Sequence, residues 1–219
     1  MSFNIVRPGA RPQTRTQTDA VRRIDFTRSE VSAIFARRAQ RYGSRECKML
    51  RKEKEFRGSN NVTVLIPPPN AIEYVTRIKV DNDFNWTTAE EMTQLMLGGI
   101  PISADANRHI DQIVKLDHNG EYVFIEIKKT SGHPFSKPTS IMSSLAQFNA
   151  LLSNCACDTA CRGSYYLVWS IDSLARFTGE RKTKYATLWL VSVDTNKNWF
   201  HFDTHTSQTN NIYIPIPQK

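Results

Sequence analysis

The sequence predicts an α/β domain, with a mixed central β-sheet flanked by helices and a basic helical N-terminal extension. Three observations predict it. The stretch RHIDQIVKLDHNGEYVFIEIKK at 108–129 reads as two strands joined by a tight turn. That hairpin is followed by a helical pattern and then another apolar strand, the order of a crossover unit. Charge is also unevenly spread: residues 1–60 hold 15 Lys and Arg against 6 Asp and Glu, and residues 61–219 hold 14 against 15. The net charge of +8 therefore belongs to the N-terminal quarter. A basic segment of this kind suits a nucleic-acid partner, although an anionic membrane surface or an acidic protein would fit the charge as well.

Taken in order, residues 1–60 form the basic arm and helix, and 61–219 the α/β core. Residues 1–25 are polar and carry Pro8 and Pro12, which predicts an irregular arm. Thr27-Arg-Ser-Glu30 is a capping-box pattern, and a helix follows with Val31, Ile34, Phe35 and Ala39 as its apolar stripe. Arg37, Arg38 and Arg41 crowd the other side. They read as contacts to a nucleic-acid backbone, against the plainer reading of a solvated face laced with ion pairs. Gly43 breaks or bends the helix, and the basic pattern resumes through Arg51-Lys52-Glu53-Lys54.

Val62–Ile66 is a short strand closed by three prolines. Residues 73–80 alternate as a half-exposed strand. Thr87-Thr-Ala-Glu-Glu91 opens a helix whose expected buried stripe is Ala89, Met92, Leu95 and Met96, ended by Gly98-Gly99. On that wheel Glu91 lies at the edge of the stripe and Glu90 faces away. Asp-His-Asn-Gly at 117–120 is turn chemistry for the central hairpin. Beyond it a loop carries Lys129, His133 and Lys137. A helix is expected over 139–153 with Ile141, Leu145, Phe148 and Leu152 on its stripe and Gln147 elsewhere. Tyr165–Trp169 should lie beside the Glu126 strand, reached by the helical crossover. A long strand over 185–193, returning at 199–202 as a hairpin, would extend the sheet, and a last short strand falls at 212–214.

The chemistry lies in the hairpin. Asp111 interrupts an apolar strand, and Glu126 and Lys128 sit two apart, so they share a face. The run Val123-Phe124-Ile125-Glu126-Ile127 is apolar on both faces, as in a buried central strand, where a carboxylate is costly unless a cation compensates it. A surface hairpin with a salt-bridged Glu-x-Lys pair is the bland alternative. Asp111 and Glu126 would hold Mg²⁺, for which Mn²⁺ could substitute, with the carbonyl of Ile127 as a third ligand. Lys128 would then serve the attacking water or the scissile phosphate.

Asp, 14 intervening residues, then Glu-Ile-Lys resembles the PD-(D/E)xK nuclease superfamily. The resemblance spans roughly residues 87–170 and implies a restriction-endonuclease-like core that cleaves DNA or RNA in a metal-dependent way. It also implies an acidic residue on the first core helix, for which Glu91 is chosen over Glu90. Ile110 stands where the family carries Pro, and the Gln-then-Tyr submotif of exonuclease-like members is incomplete, because Leu151 follows Gln147 by four. Gln147 is nonetheless a candidate for the metal-bound water or the substrate. Arg37, Arg38, Arg41 and Lys129 are the expected substrate contacts. Paired cuts in a duplex would require a homodimer.

Other classes find little support. No run approaches the ~20 apolar residues of a membrane span, and the N-terminal stretch lacks the apolar region of a secretory signal. A soluble intracellular protein is expected, in cytoplasm or nucleus, or in a host cell if viral. No GxxxxGK loop or nucleophile elbow is present. Cys155, Cys157 and Cys161 could bind structural Zn²⁺ with a distant fourth ligand such as Cys47 or a His. The absence of CxxC favours reduced thiols packing a helix end instead, and an intracellular setting argues against disulfides. Two rivals without catalysis stand beside the nuclease: a nucleic-acid-binding or packaging protein, and a self-assembling structural protein, either of them viral or cellular.

Overall fold

The computed structural model describes residues 28–57, 62–81, 83–102, 110–116, 119–131, 140–171, 184–193, 199–204 and 210–217. A mixed six-stranded sheet forms its centre. The strands are β2 (Ile72–Val80), β3 (Ile100–Pro101), β4 (Gln112–Lys115), β5 (Tyr122–Ser131), β7 (Cys161–Ile171) and β8 (Lys184–Ser192), in the order β2-β8-β7-β5-β4-β3. Only β5 and β7 run parallel. A second sheet of four strands combines β1 (Val62–Ile66), β6 (Ser140–Ser144), β9 (Phe200–Thr204) and β10 (Asn211–Pro215) in the order β6-β10-β1-β9. The helices are α1 (Arg28–Tyr42), α2 (Arg45–Lys54), α3 (Trp86–Leu97) and α4 (Leu145–Asn154). No described helix is long and apolar enough to cross a membrane.

Strand alternation divides the apolar residues of the main sheet between two faces. Tyr122 and Phe124 of β5, Tyr166 and Val168 of β7, and Trp189 and Val191 of β8 face one side. There they meet Ile34 of α1, Phe148, Leu151 and Leu152 of α4, and Leu65, Ile141, Ile212 and Ile214 of the small sheet. Val123, Ile125 and Ile127 of β5 face the other side with Leu167, Trp169 and Leu188, under Ala89 and Met96 of α3. The result is a layered α/β fold with β5 buried on both faces, as its unbroken apolar run predicts.

Several element boundaries follow local chemistry that the sequence reading misses. The segment expected to be helical from 139 begins instead as β6, whose Ile141 and Ser143 point inward and whose neighbours point out. Only at Ser144, whose hydroxyl accepts the Gln147 amide as an N-cap, does α4 start. The segment at 199–202 does not return beside β8; β9 pairs with β1 in the small sheet. Helix α3 is capped by Asn85, whose side chain accepts from the Thr88 amide, ahead of the expected Thr87 start, while its end at Gly98, in the left-handed region at φ 68°, is the one expected. The buried stripe of α3 is Ala89, Thr93 and Met96, while Leu95 is 67% exposed. The indole of Trp169 donates to the Thr93 hydroxyl at 3.0 Å, so a buried polar pair sets the rotation of this helix.

Candidate active site

Asp111 and Glu126 are brought together by the β4–β5 ladder. Gln112 lies opposite Ile125 in that register, and Asp111 falls just past this last rung. The Asp111 amide donates to the Ile125 carbonyl at 3.1 Å, one residue out of step with the 112–125 pair, so the strand ends in a bulge that turns Asp111. The bulge leaves the Asp111 carboxylate beside β5, where it acts on Glu126 and is itself acted on by Lys128 and Glu126.

Each carboxylate is held by named partners. The Ile127 amide donates to Asp111 Oδ2 at 2.7 Å. Lys128 Nζ donates to Glu126 Oε1 at 3.0 Å and to Gln147 Oε1 at 2.7 Å. The amide nitrogen of Gln147 donates in turn to Glu126 Oε1. Behind them the Tyr166 hydroxyl donates to Ser143 Oγ at 2.8 Å, and Ser143 donates to Gln147 Oε1 at 3.0 Å. This chain of bonds fixes the amide of Gln147 and, through it, the heads of Glu126 and Lys128. An ammonium has three N–H donors, and Lys128 commits two of them among the described residues.

The electrostatics record two like charges forced together. Burial, and then the facing Asp111 carboxylate, push the Glu126 carboxyl up to about 8 despite the pull of Lys128 and Gln147. Burial likewise raises Asp111, against the Ile127 amide, Lys128 and Glu126. Glu126 is 4% exposed, and its Oε2 atom is buried with no hydrogen-bond partner among the described residues. A lone buried carboxylate oxygen beside a second carboxylate is the arrangement a cation would relieve. Among the described residues, no three His, Cys, Asp or Glu side chains form a group that could hold a metal ion. The donor set is thus a carboxylate pair, which fits Mg²⁺, an ion that takes one or two carboxylates and keeps waters and substrate phosphates for the rest.

The other expected site residues divide. Gln147 joins the pair directly. On α3 it is Glu90, not Glu91, that lies in the field of Asp111: partial desolvation, then Asp111, raise the Glu90 carboxyl although the residue remains solvent-exposed. The Gln112 side chain ties the same spot together by donating to the Glu90 carbonyl at 2.9 Å. The reason is the rotation of α3 by Thr93. With Ala89, Thr93 and Met96 inward, Glu90 flanks the buried face and Glu91 lies opposite to it.

The expected substrate cations are engaged elsewhere. Lys129 points to the opposite face from Lys128, where its ammonium donates to the Phe84 carbonyl at 2.9 Å and lies 5.6 Å from the Phe84 ring centroid. Arg38 is 4% exposed; it donates to Asn154 Oδ1 at 2.7 Å and stacks 4.3 Å from the Phe124 ring centroid. Arg37 pairs with Asp158 at 3.0 Å, and Arg41 donates to the Cys157 carbonyl at 3.3 Å. Burial pushes the Asp158 carboxyl up, but the Ala160 amide, the Tyr122 hydroxyl and Arg37 outweigh it and hold the group below its ordinary value. The α1 arginines thus anchor that helix to the corner between α4 and β7 instead of presenting it to a ligand. Arg108, His109, His133, Lys137, His205, the arm before residue 28 and the segment 172–183 lie outside the described residues.

The four cysteines pair with one another, Cys47 with Cys157 and Cys155 with Cys161, so neither expected state, zinc thiolates nor free thiols, is what the structure holds. Cys47 is the distant partner that the cluster requires, but it arrives as a cross-link between α2 and the turn after α4. Comparison with known proteins gave no match to any family model, curated protein or solved structure.

Proposed function

We propose that this chain is a metal-dependent nuclease of the PD-(D/E)xK type, with a restriction-endonuclease-like core, hydrolysing phosphodiester bonds in DNA or RNA. One observation carries the proposal: the Asp111 carboxylate lies close enough to the buried Glu126 carboxyl to raise it, with Glu126 Oε2 left without a hydrogen-bond partner among the described residues. Bound Mg²⁺ would supply Lewis-acid stabilisation of charge on the phosphate and ease deprotonation of water. Asp111, Glu126 and the Ile127 carbonyl would be its protein ligands. Lys128 places an ammonium beside this position and stabilises negative charge growing on phosphate oxygens. Gln147 holds both Glu126 and Lys128, so neither swings away when substrate arrives. Glu90 adds a further acceptor at the margin. The protein acts on nucleic acid, as a homodimer if it cuts both strands of a duplex; its two disulfides fit an oxidising compartment better than the reducing intracellular setting expected from the sequence.

The test is cleavage of labelled single- and double-stranded DNA and RNA in Mg²⁺ or Mn²⁺, with EDTA as control. Glu126→Gln and Lys128→Met should each lower the rate by at least ~100-fold while leaving a folded protein. A parent that cuts none of the four substrates, or variants that cut as fast as the parent, would overturn the assignment. Retained binding without any cleavage in the parent would favour the packaging or assembly role instead.

A further inference from the structure

A groove of about 900 Å³ opens between α2 and the first turns of α4. Its walls include Arg45, Lys48, Arg51 and Lys52 from α2 and Asn149 and Ser153 from α4. Four cations thus face one carboxylate, that of Glu55. Arg45, Lys48 and Lys52 follow one another at helical spacing and share a face, whereas Cys47 lies on a different face, buried and bridged to Cys157. The three cations are exposed, and their side chains make no hydrogen bond or ion pair with any described residue. This is the reverse of α1, whose arginines serve the core. The α4 wall is uncharged and partly small, with Ala146 and Ala150 beside Asn149, so a ligand can approach that helix closely.

We propose that this groove binds the sugar–phosphate backbone of a single nucleic-acid strand and delivers it to the carboxylate pair. The inference rests on the nuclease reading. Helix α4 joins the two places: Ala146, Asn149, Ala150 and Ser153 line the groove, and Gln147, on the neighbouring face of the same helix, holds Glu126 and Lys128. A helix with its side chains is only about 10–12 Å across, so the groove and the Gln147 face of α4 lie about one helix width apart. The volume is that of a small-ligand pocket, room for roughly two or three nucleotides of one strand within it. Met49, 55% exposed at the groove, offers an apolar surface to an unstacked base. The substrate class is therefore single-stranded DNA or RNA, or the unpaired end of a duplex.

Fluorescence anisotropy in EDTA, where nothing is cut, tests the groove apart from the chemistry. The probes are a labelled single-stranded oligonucleotide and its duplex. The variants are Lys48→Glu with Lys52→Glu, the milder Lys48→Gln with Lys52→Gln, and Glu126→Gln. Both lysine pairs should weaken single-strand binding, the reversal by at least tenfold, and the slope of log K against log salt should shrink by about 1.4. Glu126→Gln removes a carboxyl, and any negative charge on it, from the place the strand is delivered to and should bind at least as tightly as the parent, and thermal melts should show that all variants fold. Strand binding that the lysine variants leave intact, duplex binding tighter than single-strand binding, or no nucleic-acid binding in the parent overturns the groove. A parent that binds through these lysines but cleaves nothing in Mg²⁺ sinks the nuclease reading and leaves the groove standing.

Discussion

Replacing Glu126 with Gln should flatten the dependence of stability on pH. In the folded chain the Glu126 carboxyl keeps its proton up to about pH 8, whereas in the unfolded chain it loses it near its ordinary 4.5. Between these values the folded state binds the extra proton, so stability falls as pH rises. The contribution is complete below about pH 4.5 and lost above about 8. At about 1.4 kcal/mol per pH unit, that interval sets a ceiling of ~5 kcal/mol. The side chain is 6% exposed, so solvent screening reduces this little. Asp111, also raised, adds in the same sense. Gln cannot ionise, so Glu126→Gln should be the more stable protein at pH 8 by a few kcal/mol, with only the residual slope of Asp111. Mg²⁺ favours the ionised carboxylates, so it should raise the parent's unfolding midpoint at pH 8 and leave the variant's almost unmoved. Urea unfolding followed by tryptophan fluorescence at pH 5, 6.5 and 8, with and without Mg²⁺, reads both effects. A parent curve that is level across that range, or a variant that tracks the parent's slope, would refute the reasoning.

Three further outcomes are expected. Arg38→Ala should lower unfolding stability by about 2–4 kcal/mol, because it removes the Asn154 hydrogen bond and the stacked cation at Phe124; a loss under 1 kcal/mol in chemical denaturation would return Arg38 to the surface. Cutting the Cys47–Cys157 link by Cys47→Ser should cost up to about 4–5 kcal/mol for a separation of 110 residues, and reductant, which also opens Cys155–Cys161, should bring the parent at least as low as the variant; an unmoved melting curve would deny the cross-link. Thr93→Val leaves the Trp169 indole N–H buried and unpaired, a cost of about 1–3 kcal/mol, whereas Leu95→Gln should change stability by less than ~0.5 kcal/mol; equal losses would mean that α3 is rotated the other way.

The carboxylate pair is legible in the sequence because few arrangements explain a Glu inside a strand apolar on both faces. Register does the rest: Gln112 pairs with Ile125, and Asp111 falls just past that rung with its carboxylate on the Ile127 amide, next to Glu126. Gln147 is harder to place, since its role depends on where α4 begins, and Ser140–Ser144 alternates too briefly to betray a strand inside a helical pattern. Glu90 is missed because hydropathy ranks Leu95 above Thr93, whereas the fold buries the threonine with an indole donor and turns the leucine to solvent. Composition counts the arginines of α1 but does not say which way they face; the partners that draw them inward, Asn154 and Asp158, lie more than a hundred residues along the chain. Arg45, Lys48 and Lys52 of α2 differ only in lacking such partners among the described residues, and no local pattern announces that.

The small sheet has a consequence for how the chain is made. Its inner strands are β1 at 62–66 and β10 at 211–215, and β10 alone joins β1 to β6. During vectorial synthesis β1 and β6 emerge long before the strand that must lie between them. They wait with unpaired edges while the main sheet forms beside them. Because Ile212, Ile214 and Ile216 also complete the core under α4, a nascent chain stalled before residue 211 remains open on that side and exposed to chaperones or to its neighbours on the polysome.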